Sequence, residues 1–295
     1  MPHPLDSFFA PQSIALIGAS RDREKIPGRL LEMLRKNEFP GKIYPINPNY
    51  DEIDGLKCFK SIADVGTPID LAVIIIPARG VLAALEQCAA ASVKNAVIIS
   101  SGFAEEGGES AAMQDQIASL AKRTGMRVSG PNAEGFYSQV QQVAATFSPT
   151  VDVKPGAMPP VATKKRVGIV AQSGGIGFAF YHRAKALGIA VSYVVSAGNE
   201  SDLGAGEFLD YMVQDPSTDV ILCSSRASAT SRNSCAPRNA PPKSESPSSS
   251  PRSAVPARAS ARPHPIPRAW PAGRRPMTLC SPNTASLSPT ISMRS

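Results

Sequence analysis

"SIALIGASRDREKIPGRLLEMLRKNEFPGKIYPINP", Ser13 to Pro48, decides the fold. It opens with an apolar run of strand length that stops at Gly18. A polar turn follows, and then "GRLLEMLRKN", in which Leu30, Leu31 and Leu34 fall on one helical face. "KIYPINP" is a second strand. A strand, a crossing helix and a strand in so short a span are the unit from which parallel sheets are built.

The pattern repeats outward from there. "DLAVIIIPA" is a continuous apolar run, as a parallel strand covered on both faces requires, and "GVLAALEQCAAAS" is the helix after it. "NAVIISSGF", the helix "SAAMQDQIASLAKRTG" and "MRVSGPNAEG" continue the series. This alternation predicts a doubly wound, mostly parallel α/β sheet of Rossmann type over residues 1–150. "VDVKPGAMPPVATKK" carries three prolines and no period, and reads as a linker over 151–165. "RVGIVAQSGGIGFAFYHRAKALG", "IAVSYVVSAGN", "GAGEFLDYMVQD" and "TDVILC" then begin a second parallel α/β unit over 166–223.

After Cys223 the apolar runs stop. Residues 1–223 hold 20 Lys+Arg against 23 Asp+Glu, whereas 224–295 hold 11 against one, so the overall charge of +7 belongs to the tail. Thirteen prolines among those 72 residues, with few large apolar side chains, predict a disordered segment. A basic Ser/Pro-rich tail also fits an arm that engages anionic partners such as nucleic acid. The chain has no charged-then-apolar leader pattern and no apolar run of membrane-spanning length, so it reads as soluble and cytoplasmic. Cys58, Cys88, Cys223, Cys235 and Cys280 lack any metal-ligand spacing and read as small hydrophobes in a reducing compartment.

In open α/β sheets ligands collect at the carboxyl ends of the strands, where backbone N–H groups and helix N-termini favour anions. "GAS" (Gly18–Ser20), "INP" (Ile46–Pro48), "IPA" (Ile76–Ala78), "SSGF" (Ser100–Phe103) and "GPN" (Gly130–Asn132) all follow strands, so they should converge on one edge and hold a long phosphorylated ligand. Gly18 is followed by Ala19, Ser20 and Arg21, so the dinucleotide fingerprint GxGxxG is absent, and no GxxxxGK[ST] occurs. "QSGGIG" (Gln172–Gly177) joins a strand to a helix with three glycines, a natural cradle for a phosphoryl group. Ala171–Gly175 is also AxSxG, a variant of the nucleophile elbow, but the histidines after it are His182 within the following helix and His264 in the tail.

With these turns in order, "FFAPQSIALIGAS", "GKIYPINP", "DLAVIIIPA", "AVIISSGFAEEG", "GPNAEGF", "GIVAQSGGIG" and "VSAGNESDLGAGEFLDYMVQDPSTDVIL" resemble the start of the NDP-forming acyl-CoA synthetases, the superfamily of the succinyl-CoA synthetase α subunit. The resemblance covers about residues 6–223. It implies a Rossmann-like domain that binds coenzyme A, followed by an incomplete flavodoxin-like succinyl-CoA-synthetase domain. Gly18, Ala19, Ser20, Pro45, Asn47, Ile76, Pro77, Ser101, Gly102, Phe103, Pro131 and Asn132 would line the CoA groove, with Lys25 and Lys42 as phosphate partners. Many members carry Lys after "NP", where this chain has Asn49. Gln172, Ser173, Gly174 and Gly175 would form the helix N-terminus at which a phosphohistidine docks.

The reaction so implied converts acid, CoA and NTP to acyl-CoA, NDP and phosphate through phosphohistidine and acyl phosphate. ATP and Mg²⁺ would be held by an ATP-grasp domain or subunit absent from this chain. The histidine loop "SHTGSLAG" and the glutamate of "LEG" are absent too. Read from each codon's third base, however, Ser224–Thr230 permits Leu-Glu-Gly-Ile-Arg-Asp and Pro265–Pro271 permits His-Thr-Ala-Ser-Leu-Ala. In the same frame between them, Lys243–Val255 permits the family's "GKPIVIxKxGR" strand. The expectation is therefore an out-of-frame tail over 224–295, CoA binding at most, and no turnover by this chain alone. The alternative is a non-catalytic CoA-binding or interaction protein with a basic tail. The acyl substrate is not legible: short acids and aromatic acids such as ferulate suit similar chains.

Overall fold

The computed structural model describes residues 3–152, 164–225 and the backbone strand 278–280. Its first sheet has the order β2-β1-β5-β6-β7 and is parallel throughout. The strands are β1 (Ser13–Ile17), β2 (Lys42–Ile46), β5 (Leu71–Ile74), β6 (Asn95–Ile98) and β7 (Arg127–Ser129), with a short antiparallel pair β3 (Glu52–Ile53) and β4 (Leu56–Lys57) between β2 and β5. The helices α2 (Ile26–Lys36), α3 (Ala78–Ala90) and α4 (Glu109–Thr124) make the crossovers. Every residue of β1, β5 and β6 is buried, which is why these strands read as unbroken apolar runs. Leu30, Leu31 and Leu34 are the buried face of α2, as their spacing predicts.

The second sheet has the order β13-β12-β10-β11-β8-β9. Its members are β8 (Gly135–Ser138), β9 (Val143–Thr146), β10 (Arg166–Ala171), β11 (Ala190–Ser196), β12 (Val220–Ser224) and β13 (Thr278–Cys280), with helices α5 (Gly174–Ala186) and α6 (Ala205–Gln214). One sequence expectation changes here. The hydrogen-bonded sheets divide after β7 and not at residue 150, because β8 pairs antiparallel with β11 and carries β9 with it. "GIVAQ" is interior to this sheet, since β10 lies between β12 and β11. The free side of "DVILC" meets β13, which pairs antiparallel with Ile221–Cys223. Most of the linker (153–163) and the rest of the tail (226–277 and 281–295) lie outside the described residues.

A short helix, α1 (Asp6–Phe9), joins the two sheets. Phe8 and Phe9 are fully buried. The Phe9 ring stacks on Tyr211 of α6 with centroids 4.4 Å apart and meets Phe136 of β8 and Tyr193 of β11 edge-on. The same cluster includes Leu16, Leu30 and Val73 of the first sheet's layer, so a single core runs through both sheets. The aromatic pair that opens the quoted "FFAP" therefore acts as a joint.

Candidate functional site

The carboxyl ends of the first sheet's strands are tied into one edge. Gly18 sits at φ +93°, and a Cβ placed on it would fall 2.2 Å from the Ile75 carbonyl oxygen. A side chain is thus excluded where the loops after β1 and β5 touch. The Asn47 amide donates to the Ala19 carbonyl at 2.8 Å, and the Asn47 N–H to the Phe59 carbonyl at 2.9 Å. Ser100 Oγ receives the Ile76 N–H and donates to the Ile76 carbonyl, and the Asn132 N–H donates to the Ser100 carbonyl.

A cleft of about 360 Å³ opens on this edge, lined among others by Gly18, Asn47, Asn49, Lys60, Ile76 and Gly80. Gly80 lies in the first turn of α3, whose N-cap is Pro77, so the positive end of that helix lies at the cleft. Lys60 is the cation in the lining. Its Nζ donates to the Pro48 and Tyr50 carbonyls at 3.1 and 3.0 Å and pairs with Asp51 at 2.7 Å, which leaves the ammonium held beside the "NPN" turn.

The placement of the expected residues is uneven. Gly18, Asn47 and Ile76 line the cleft, while Ala19 is buried beneath it as a partner of Asn47. Pro45 is buried within β2, and Ser20 accepts the Asp22 N–H. Ser101, Gly102, Pro131 and Asn132 stand farther along the edge toward the second sheet, and Phe103 is a core side chain. Lys25 caps α2, is 74% exposed and pairs with Asp22. Lys42 begins β2, about 13 Å of strand away from the carboxyl edge, and does not line the cleft. Sequence reading missed Lys60, which no strand or glycine turn marks. Replacing Lys60 with Met is expected to weaken binding of a phosphorylated ligand by about tenfold, the scale of one charge-assisted hydrogen bond. Calorimetric titration measures this.

The two halves are joined by the "GPN" and "SAGN" turns. The Asn199 N–H donates to the Pro131 carbonyl at 2.8 Å, and the Ser201 hydroxyl and N–H donate to the Gly130 carbonyl at 2.8 and 3.0 Å. The Asn199 amide also donates to Glu105 and to Gln114 of α4. Burial works against ionisation of Glu105, but hydrogen bonds from Asn199 and the Gly102 N–H prevail and hold its carboxyl below the usual range. Asp202 accepts from the Arg127 side chain and the Val128 N–H.

Beyond this joint lies the turn Gln172–Gly175. Ser173 is the N-cap of α5 but makes no side-chain capping bond, and Ser173 and Gly175 are exposed. The first N–H groups of this helix are therefore donors an anion can use. His182, the elbow reading's nearer base, is exposed on α5.

Residues 12–139 match the family model of a CoA binding domain, and residues 164–227 that of a succinyl-CoA ligase-like flavodoxin domain. In these two matched domains the chain is similar to the NDP-forming acyl-CoA synthetases. The acetate–CoA ligase (ADP-forming) of Methanocaldococcus jannaschii is 40% identical over 212 residues, 72% of this chain and 28% of that protein. The α subunit of acetate–CoA ligase (ADP-forming) I of Pyrococcus furiosus is 37% identical over 222 residues, 74% of this chain and 46% of the subunit. A solved acetyl-coenzyme A synthetase of Candidatus Korarchaeum cryptofilum superposes with a TM-score of 0.70 at 38% identity, over 77% of this chain and 47% of that one. The chain thus spans less than half the length of each of these relatives. Within it, the cleft lies inside the CoA-binding match and the Gln172–Gly175 turn inside the ligase-like match. Among the described residues no helix is long and apolar enough to cross a membrane, and no group of His, Cys, Asp and Glu could hold a metal ion.

Proposed function

We propose that this chain is the CoA-binding portion of an NDP-forming acid–CoA ligase. The observation that carries the reading is the cleft itself: a glycine-tight strand edge, a helix N-terminus and Lys60 together on one side of a parallel sheet. Gly18, Asn47, Ile76 and Lys60 would hold CoA, with the backbone at Gly18 allowing close approach and Lys60, on exchanging its exposed Asp51 partner for phosphate, meeting phosphate charge together with the start of α3. CoA supplies a thiol, the nucleophile that accepts an acyl group. The residues described here bind and orient that group.

The turn Gln172–Gly175 fits a phosphoryl group, which uncapped N–H donors and a helix dipole favour. In the full ligase a small carboxylic acid would be phosphorylated there by a phosphohistidine, with ATP or GTP and Mg²⁺ held by a partner domain or subunit. The match to the ligase-like family ends at residue 227, within four residues of the composition change at Cys223. This supports the out-of-frame reading of the tail, for which sequencing the gene is the check. The isolated chain is expected to make no acyl-CoA from acid, ATP and CoA. Detectable thioester in a coupled assay of the purified chain would overturn that expectation.

A further inference from the structure

The turn at the start of α5 lies against an acid of this chain. Glu134 follows the "GPN" turn, and its backbone is fixed on both sides. Its N–H donates to Ser196 Oγ at 3.0 Å, and its carbonyl accepts from Thr146 Oγ1 at 2.7 Å. The side chain lies on the first residue of α5: a Cβ placed on Gly174 would fall 2.2 Å from Glu134 Cβ and 2.5 Å from its Oε2. Only glycine at 174 lets the carboxyl come so close. The same turn holds a second irregularity, since Gln172 Oε1 is buried without a hydrogen-bond partner among the described residues.

We propose that Glu134 is a charge filter on the α5 N-terminal anion site, admitting a dianionic oxyanion such as a phosphoryl group only while its own carboxyl carries a proton. The proposal rests on the reading of Gln172–Gly175 as the phosphoryl site. The half-charge of a helix N-terminus cannot balance a dianion and a carboxylate together, and like charges at such range in a half-buried site disfavour one another strongly. The groups that meet Glu134 from each side are uncharged: Thr146 and Ser148 after β8, Ser196 at the end of β11, and Gly174 of α5. Burial pushes its carboxyl pKa up, and the hydrogen bond with Ser148 draws it partly back. Protonated, Glu134 becomes a donor to a phosphoryl oxygen and no longer repels it.

The test uses sulfate, which stays dianionic from pH 5 to pH 8, titrated calorimetrically into the full chain and its Glu134→Gln variant. CoA titration of the same samples checks that each is folded. Every other group is common to the two proteins, so the difference between them isolates Glu134. The wild-type chain is expected to lose sulfate affinity by about tenfold or more as the pH rises to 8, while the variant keeps most of its affinity and binds about tenfold more tightly at pH 8. Equal affinities and equal pH slopes would overturn the filter and leave the phosphoryl site standing. Absence of sulfate binding by both proteins would overturn that site and the filter with it. Should Glu134→Gln fail to bind CoA, Ser148→Ala serves instead: loss of its hydrogen bond shifts the pH midpoint of sulfate binding upward, and an unmoved midpoint overturns the proposal.

Discussion

Replacing Gly18 with alanine in the full chain abolishes measurable CoA binding and destabilises the first sheet by about 2 kcal/mol or more, since it adds backbone strain to a steric overlap. The overlap dominates. The new Cβ would stand 2.2 Å from the Ile75 carbonyl oxygen and 2.7 Å from Ile76 Cγ2, so the loops after β1 and β5 have to part, and they form the cleft. Gly66 provides the control. It has φ +68° but nothing within 4 Å of a built Cβ, so Gly66→Ala carries the strain alone, about 1 kcal/mol, and leaves CoA affinity unchanged. Calorimetric titration and urea denaturation of both variants separate the effects. Equal losses of affinity in the two would show that closeness at Gly18 does not shape the site.

Phe9→Ala is expected to cost about 3–5 kcal/mol, the range for emptying a large buried aromatic side chain. Phe9 is 0% exposed, and its ring lies within 4.4–6.0 Å of the centroids of Phe8, Phe136, Tyr193, Phe208 and Tyr211. Apart from Phe8 of α1 itself, those partners come from β8, β11 and α6 of the second sheet's layers, while α1 is the element that leads into β1 of the first. The variant should therefore lose the shared core and unfold in two steps where the wild type unfolds in one. A midpoint shift equivalent to less than 1 kcal/mol, with a single transition retained, would show that α1 is not the joint between the sheets.

Much of this architecture is legible in the residues because central parallel strands must be apolar on both faces. Ser13–Ile17, Leu71–Ile74 and Asn95–Ile98 are wholly buried. The glycines that matter also announce themselves, since Gly18, Gly102 and Gly130 hold positive φ in the turns after β1, β6 and β7. Other features depend on tertiary pairing and leave no local trace. "GFYS" and "VAAT" are short, buried at every position and without alternation, so nothing in them says that they belong with Tyr193–Val195 and not with the first sheet.

Lys42 and Lys60 show the same limit for charge. Lys42 stands next to a strand whose far end carries the site, while Lys60 approaches that end from a loop 13 residues beyond Asn47. Sequence proximity to a turn does not say which end of a strand a side chain occupies. Glu134 shows the limit again, because the absence of a side chain at Gly174 and the carboxyl that uses the space are 40 residues apart.

The central claim is that the carboxyl edge of the first sheet binds CoA, and titration of CoA into the purified full chain by isothermal calorimetry tests it most directly. Saturable one-to-one binding, weakened about tenfold by Lys60→Met and lost in Gly18→Ala, is the result expected from a cleft built in this way. No heat of binding from the folded wild-type chain, or binding indifferent to both substitutions, would contradict it.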